Sequence, residues 1–479
     1  MATTSSSGPG GRSSQLASAA RPRRSAARRT TGIRDAAVKK LSANQCAIGK
    51  MLGRARCSDD PKDCKCHSLE SKLRAQLLRL ATRPLGEPIS FTLDDSFTFE
   101  PADADQVALF FNTYGHLYHI RKFTLNDNVV KLNTPEQILP YVVAIKNLPY
   151  LEEISFAGAS IGIWASYALA EALRTKTRLR RADFSNCFAG RKTPEIAPAL
   201  DALVSAFLEL PVLESISLAD NAFGPDVEWP LVRLVQSHTP LQELNVDNLG
   251  IGPESGPAFC IALITLAENK KAIGAPPLRT LLCGRNRFVQ DDEEPLMGMA
   301  DWAAALAANP QLRTLGFSNN GIRREGMDLF VSEGLAHLHA IEELDLQDNS
   351  IAPRGAKHTA LAEAVGGWPN LRVFNLNDSM LGSRGAALLI PALAAVQPSR
   401  LESLKMAGNN LTSANTMALA GAFGQLSELR DLELNMNNIP QDDEGFATLG
   451  RLLEERGVER GIKTSMDSLQ DFDQSEPSQ

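Results

Sequence analysis

The sequence predicts an α/β solenoid, with one parallel strand and one returning helix in each stacked coil. Three observations predict it. The pattern L-x-x-L-x-L-x-x-N-x-L, or a close variant, occurs eleven times between Ile120 and Ile439. Most successive copies are 28–30 residues apart, which leaves room for a full α-helix after each strand. The composition, 43% hydrophobic and 22% charged, suits a core that grows with every added coil.

The repeated pattern is the leucine-rich-repeat signature. A single strand–helix coil cannot bury its apolar face alone, so neighbours must stack. The expected form is a curved, ribonuclease-inhibitor-like horseshoe with parallel strands on the concave face and helices on the convex face. Clear copies are Leu213-Glu-Ser-Ile-Ser-Leu-Ala-Asp-Asn221, Leu312-Arg-Thr-Leu-Gly-Phe-Ser-Asn-Asn320 and Leu429-Arg-Asp-Leu-Glu-Leu-Asn-Met-Asn437.

Along the chain, residues 1–35 are rich in Ser, Gly, Ala and Arg and read as a disordered basic arm. Residues 36–88 carry a helical apolar pattern and four cysteines. The repeat domain spans 89–460 in eleven to twelve coils, with Pro88–Leu93 as a degenerate first strand that caps it. Coils start at Ile120, Leu151, Leu179, Leu213, Leu241, Leu278, Leu312, Ile341, Leu371, Leu401 and Leu429. Helices are expected at Trp164–Leu173 and Thr416–Phe423, and a closing one at Gly445–Glu455, before a polar tail over 461–479. The ninth position of each coil turns inward, where its side chain can bond the loop backbone of the next coil. It is Asn at 128, 221, 286, 320, 349, 409 and 437, Cys at 187, and Ala159, Leu249 or Ser379 elsewhere.

Residues 1–40 hold nine Arg and Lys against one acid, so a net charge of −7 leaves −15 for the remainder. An acidic body repels phosphate and argues against nucleic acid as the partner of the repeats. Of the seven cysteines, Cys187, Cys260 and Cys283 lie in the repeats and far apart, which is no disulfide framework and suggests a reducing compartment. Apolar runs fall short of the roughly 18 residues a membrane span requires, and no secretory leader is evident, so the chain reads as soluble and intracellular. Cys46, Cys57, Cys64, Cys66 and His67 are ligand types that suit zinc, but they lack C-x2-C spacing; free thiols are the preferred reading, with no metal. The run Arg21–Arg29 reads as a solvated basic arm, a nuclear-localisation or anionic-surface patch, or an organellar transit peptide. No Walker-type loop and no Ser/His/Asp constellation occurs, so neither a nucleotide cofactor nor an independent active site is expected.

Where a repeat is lengthened, the extra residues map to loops and often to the binding face. The coils starting at Leu179 and Leu278 are lengthened between strand and helix, over Cys187–Pro198 and Val289–Pro295. The coil starting at Leu241 is lengthened on the opposite rim, after its helix, over Glu268–Pro277. Arg191 and Lys192 are expected to project from the first of these loops. The same rim carries Asn248, Arg285, Arg287, Arg323 and Arg324. Concave strand positions add Glu153, Asp183, Glu243, Asp247, Glu343, Asp345, Asp431 and Glu433, with Asp348 and Asp378 just beyond. This is either a solvated charged face or an acidic docking surface topped by a basic edge, of the kind that selects partners and raises on-rates.

Asp183-Phe-Ser-Asn-Cys-Phe-Ala-Gly-Arg191, Leu218-Ala-Asp-Asn-Ala-Phe-Gly-Pro225, Asn248-Leu-Gly-Ile-Gly-Pro253, Cys283-Gly-Arg-Asn-Arg287 and Leu344-Asp-Leu-Gln-Asp-Asn349 resemble the Ran GTPase-activating protein family in order and spacing. The resemblance covers roughly residues 89–460 and includes the insert Asn269–Leu278. It implies a monomeric, cytoplasmic activator of GTP hydrolysis by Ran in its GTP form, working in nucleocytoplasmic transport, with the nuclear envelope as one candidate address. It implies that Arg191 is the arginine needed for activation, by docking and orientation ahead of phosphate contact, and that Asn248 faces the nucleotide-side switch region. Lys192, Asp247, Arg285, Arg287, Asp345, Asp348 and Asp378 complete the expected partner-binding set. The other reading of the fold is a non-catalytic scaffold or inhibitor that binds a protein on its concave face.

Overall fold

The computed structural model describes Leu73 and residues 89–469, apart from 94–98, 126–129, 222, 225–227, 289–295, 297 and 352–359. The chain divides between Glu87 and Pro88 into two compact units, and the second carries the repeats. The basic arm, the five candidate zinc ligands, Asn128 and the insert at 289–295 lie outside the described residues.

Fifteen strands are described, each short because only the middle of the repeated pattern is extended. They are β1 Ser90–Leu93, β2 Lys122–Leu125, β3 Lys131–Leu132, β4 Glu153–Ser155, β5 Ser160–Ile161, β6 Arg181–Asp183, β7 Ser215–Ser217 and β8 Glu243–Asn245. There follow β9 Thr280–Leu282, β10 Thr314–Gly316, β11 Glu343–Asp345, β12 Val373–Asn375, β13 Ser403–Lys405, β14 Asp431–Glu433 and β15 Ser465–Met466. Thirteen of them form one sheet in the order β1-β2-β4-β6 and then consecutively to β15, while β3 and β5 pair separately on its flank. Each neighbouring pair is parallel, and the register sets the fourth residue of one coil against the fourth of the next, as in Ile216↔Leu244 and Leu281↔Leu315. A helix carries the chain back between strands, as parallel pairing requires.

This register follows from burial. In Leu213–Leu218 the first, fourth and sixth residues are fully or almost fully buried, and the residues between them face the open strand face. Aromatic rings continue the core from coil to coil: Phe123, Phe156 and Phe184 have centroids 6.3 and 5.9 Å apart. The expected helices form at Ile163–Leu173, Ser413–Ala422 and Glu444–Arg460. The sheet also runs on into the stretch expected as a tail, because Ser465–Met466 pairs with β14 and the Asp467 carboxylate accepts from Leu434 N and Asn435 N.

The ninth-position side chains do turn inward, but they bond the preceding coil and not the next. Asn409 Oδ1 accepts from Ser379 N and Leu381 N, at 3.1 and 3.0 Å, and its Nδ2 donates to Leu376 O at 2.6 Å. Asn221, Asn286, Asn320, Asn349 and Asn437 repeat the arrangement, Cys187 bonds Phe156 O, and Ser379 Oγ bonds Leu346 O and, within its own coil, Asn377 O. Each therefore satisfies backbone groups that burial would otherwise leave unpaired.

At the opposite end of the strands, buried donors secure the coil junctions. His238 Nε2 lies 2.7 Å from Leu213 O, and burial pushes the imidazole pKa down to about 4. Its neutral form donates that bond. The unfolded chain takes up this proton near pH 6.5, so the stability that His238 contributes is complete above that pH and is lost as pH falls toward 4. Going from pH 7.5 to 5 should cost the wild type about 2 kcal/mol more than His238→Gln, read from urea midpoints of both proteins. An equal acid dependence of the two would contradict this assignment.

Candidate functional site

The lengthened loop after β6 is built by packing on its neighbours. Phe188 is buried against Phe223 with centroids 5.8 Å apart, and its N–H donates to Asn221 Oδ1 at 3.0 Å. Arg191 N closes a turn on Phe188 O at 3.0 Å around Gly190, whose φ of +71° suits glycine. Lys192 is the N-cap residue of the helix Thr193–Phe207.

Arg191 does not project from this loop. Its guanidinium folds back across the β3–β5 pair, donating to Asn133 Oδ1 at 2.6 Å, Ser160 Oγ at 2.9 Å and Ser160 O at 2.6 Å. Glu195 lies 3.8 Å away, and only 11% of the Arg191 side chain is exposed. A planar fork of five donors can hold several acceptors at once, which an ammonium on a flexible stem cannot do in the same geometry. The acceptors come from two earlier coils, so Arg191 clips the loop to both. A Cβ on Gly162 would lie 3.0 Å from Arg191 Nη1 and 3.3 Å from Asn133 Cα, so the clip needs a small residue there.

Beside the loop runs a second row. The eighth residue of each coil from β4 to β14 takes a left-handed backbone: Gly158, Asn186, Asp220, Asn248, Arg285, Asn319, Asp348, Asp378, Gly408 and Met436. Gly, Asn and Asp are the residues that tolerate this conformation, so part of the reason for Asn248 is conformational. Arg285 and Met436 are the exceptions, and a long side chain held at positive φ is the kind of strain that gathers at functional sites. Side chains link along the row: Asn248 Nδ2 donates to Asp220 Oδ1 at 2.9 Å, Arg285 pairs with the same oxygen at 3.0 Å, and Asn319 Nδ2 donates to Asp348 at 2.6 Å. Asp220 thus joins Asn248 to Arg285. It was missed in the sequence, although the recurrence of Gly, Asn or Asp at the eighth position was there to be read. Asp378 overhangs Gly408 so closely that a Cβ there would collide with its Oδ1.

The expected acids sit lower, between strand and rim. Asp247 Oδ1 accepts from Gly284 N at 2.6 Å; burial raises its carboxyl above the usual range, against the pull of that N–H and of Arg285. Asp345 Oδ1 accepts from Gln347 N at 3.0 Å and is raised by burial too. Asp378 is raised by burial and by the neighbouring Asp348. Among the rim cations, Arg324 pairs with Glu325, while the exposed Lys192 and Arg287 have no side-chain partner among the described residues. The edge therefore offers two uncommitted cations, one half-committed arginine at Arg285, and the clipped Arg191. No group of His, Cys, Asp and Glu able to hold a metal occurs among the described residues.

No protein-family profile matches the chain. Over 338 residues it is 30% identical to Ran GTPase-activating protein 1 of Saccharomyces cerevisiae, a match that spans 68% of this chain and 81% of the yeast protein. This chain belongs to the Ran GTPase-activating protein family. Ran GTPase-activating protein 1 of Xenopus laevis is 34% identical over 177 residues, 36% of this chain and 30% of that protein. Among solved structures, the yeast Rad7–Elc1 complex covers 79% of this chain and 87% of its own at 14% identity and a TM-score of 0.45.

In this family member the broad strand face is less acidic than its composition suggests. Glu153, Glu243 and Glu433 are matched by Lys122 at 3.2 Å, Arg181 at 3.3 Å and Lys405 at 2.5 Å. These partly exposed pairs add little stability, but they cancel charge that a partner would otherwise meet. Asp183 is occupied locally, accepting from Ser155 Oγ and Ser185 Oγ at 3.0 and 2.7 Å. Asp431 likewise accepts from Ser403 Oγ at 2.7 Å, whereas Glu343 has no ion pair among the described residues, so the expected acidic surface narrows to Glu343 and to Asp247, Asp345, Asp348 and Asp378 along the strand ends. No helix among the described residues is long and apolar enough to cross a membrane.

Proposed function

We propose that this chain activates GTP hydrolysis by Ran, docking through the strand-end rim around Arg191 and Asn248. The reading rests on family membership across four-fifths of the yeast relative's length together with the rim just described. Phosphoryl transfer requires an aligned water and compensation of charge on the phosphate oxygens. An activator supplies an arginine to that charge or orders the GTPase's own water-positioning group. Arg191 in three hydrogen bonds supports the second route, since reaching into a partner's active site would strip all three from a guanidinium. Arg191 is then a positioning residue: it holds the loop that presents Lys192, while Asn248, Asp220, Arg285 and Arg287 give the partner a rigid edge. Asp247, Asp345, Asp348 and Asp378 meet basic groups of the bound GTPase farther along the same edge. The chain has no active site of its own, takes no cofactor, works as a monomer and acts in the cytoplasm.

Single-turnover hydrolysis with purified Ran in its GTP form tests the proposal. Catalytic amounts of the chain should raise the rate by about 10³-fold or more. Tight binding without acceleration would make it a scaffold instead.

A further inference from the structure

The strand-start edge, at the opposite end of the strands from Arg191, is a ladder of alternating charge at the second position of each coil. Arg121 pairs with Glu152 at 3.5 Å, Arg180 with Glu214 at 3.3 Å, Arg313 with Glu342 at 3.1 Å and Arg372 with Glu402 at 2.7 Å. The alternation breaks between Glu214 and Arg313. Gln242 stands in the next place and donates to Glu214 at 3.2 Å. Arg279 follows it, exposed and with no side-chain partner among the described residues.

A groove of about 350 Å³ opens at this break. Pro211, Val212, Pro240, Ile273 and Pro276 give it an apolar wall, and Ile273 is 67% exposed. The lengthened coil forms one side of it. Helix Gly256–Ile273 ends at Gly274 with φ +67°, and Ala275 N donates back to Lys270 O at 2.9 Å. Beneath the turn the buried Lys270 ammonium donates to Thr239 O at 2.8 Å, to Leu241 O and to Pro276 O at 2.7 Å. The insert is therefore pinned to the preceding coil, and consecutive prolines at 276 and 277 stiffen it further. The apolar wall of this open groove is therefore held in place by the fold itself.

We infer that this groove docks a short segment of a partner protein, seating an apolar side chain against Ile273 and Pro276 and a neighbouring carboxylate on Arg279. The charge selects the partner's chemistry. Glu214 already accepts from Arg180 and Gln242, and the next charge along the edge is Arg279, which does not line the groove but adjoins its Gln242, donating its N–H to Gln242 O at 2.8 Å. A guanidinium offers a carboxylate two parallel N–H donors. The groove lies at the other end of the strands from the Arg191 rim, so its occupant leaves that rim open and can bring the activator to a second protein.

Panning a random-sequence peptide library on the full chain tests this. Selected peptides should carry Leu, Ile or Phe within two residues of Asp or Glu, and should shift the Ile273 methyl signal in an NMR spectrum of the full chain. Ile273→Asp and Arg279→Glu, both at exposed positions, should each weaken binding about tenfold or more, with stimulation of Ran unchanged. Peptides without an acidic residue, binding unaltered by either variant, or a selection that yields no peptide moving the Ile273 signal would each overturn the inference.

Discussion

Replacing Arg191 with alanine should lower stimulated GTP hydrolysis by Ran roughly 10²- to 10³-fold while leaving the repeats folded. The side chain is anchored on Asn133 and Ser160, so its loss frees the loop from two earlier coils and displaces the edge that Lys192 and its neighbours present. Misplacing such groups by an ångström is enough for a loss of about 10². Few apolar contacts disappear with it, so the urea midpoint should move little. Arg191→Lys discriminates further. It restores the charge but not the fork, so a clip predicts activity close to that of the alanine variant, whereas attraction by charge alone predicts substantial recovery. Single-turnover rates at several activator concentrations separate a lower maximal rate from weaker docking. Wild-type stimulation by Arg191→Ala would remove this residue from the mechanism.

The largest effect on stability belongs to a residue with no part in docking. Asn409 is fully buried and bonds Ser379 N, Leu381 N, Leu376 O and Ala407 O. Leucine in its place leaves two donors, Ser379 N and Leu381 N, and one acceptor, Leu376 O, buried without partners, while Ala407 O keeps its bond from Asp378 N at 2.9 Å; each orphaned group costs about 1–3 kcal/mol before relaxation. A net loss of about 4 kcal/mol is expected, seen as a lower urea midpoint. The exposed Asn438, whose Nδ2 reaches Asn410 Oδ1 at 3.5 Å, is the control, and Asn438→Leu should stay within about 0.5 kcal/mol of wild type. Equal midpoints for the two variants would mean that the inward row is not what joins the coils. Stimulation of Ran per folded molecule should be unchanged in both.

The difference between these two residues also marks what the sequence reveals. Strand positions were legible because burial imposes a strict pattern: each leucine start places a strand two residues on, as Leu213 does for Ser215–Ser217. The inward row was legible as well, but its direction was not, because a single coil carries no sign of which neighbour its side chain meets. The lengthened loop and the family resemblance single out Arg191, but they do not carry its pose. Its acceptors lie 58 and 31 residues earlier, and no periodicity reports where a long side chain will find them. Lys176 and Lys270 look like surface charges in the sequence, yet both are buried on backbone carbonyls, and burial lowers each ammonium to about 8. The last strand escaped notice because Lys463 stands where its first leucine would be, three residues before Met466.

Whether Arg191 works through its clip is tested most directly at Asn133, which is exposed and does not belong to the loop. Asn133→Ala removes the 2.6 Å acceptor while leaving Arg191 in place. With saturating activator, the single-turnover rate of GTP hydrolysis by Ran should fall about tenfold. A rate equal to wild type, or a faster one from an arginine set free to reach the nucleotide, would contradict positioning and make Arg191 a direct participant in the chemistry.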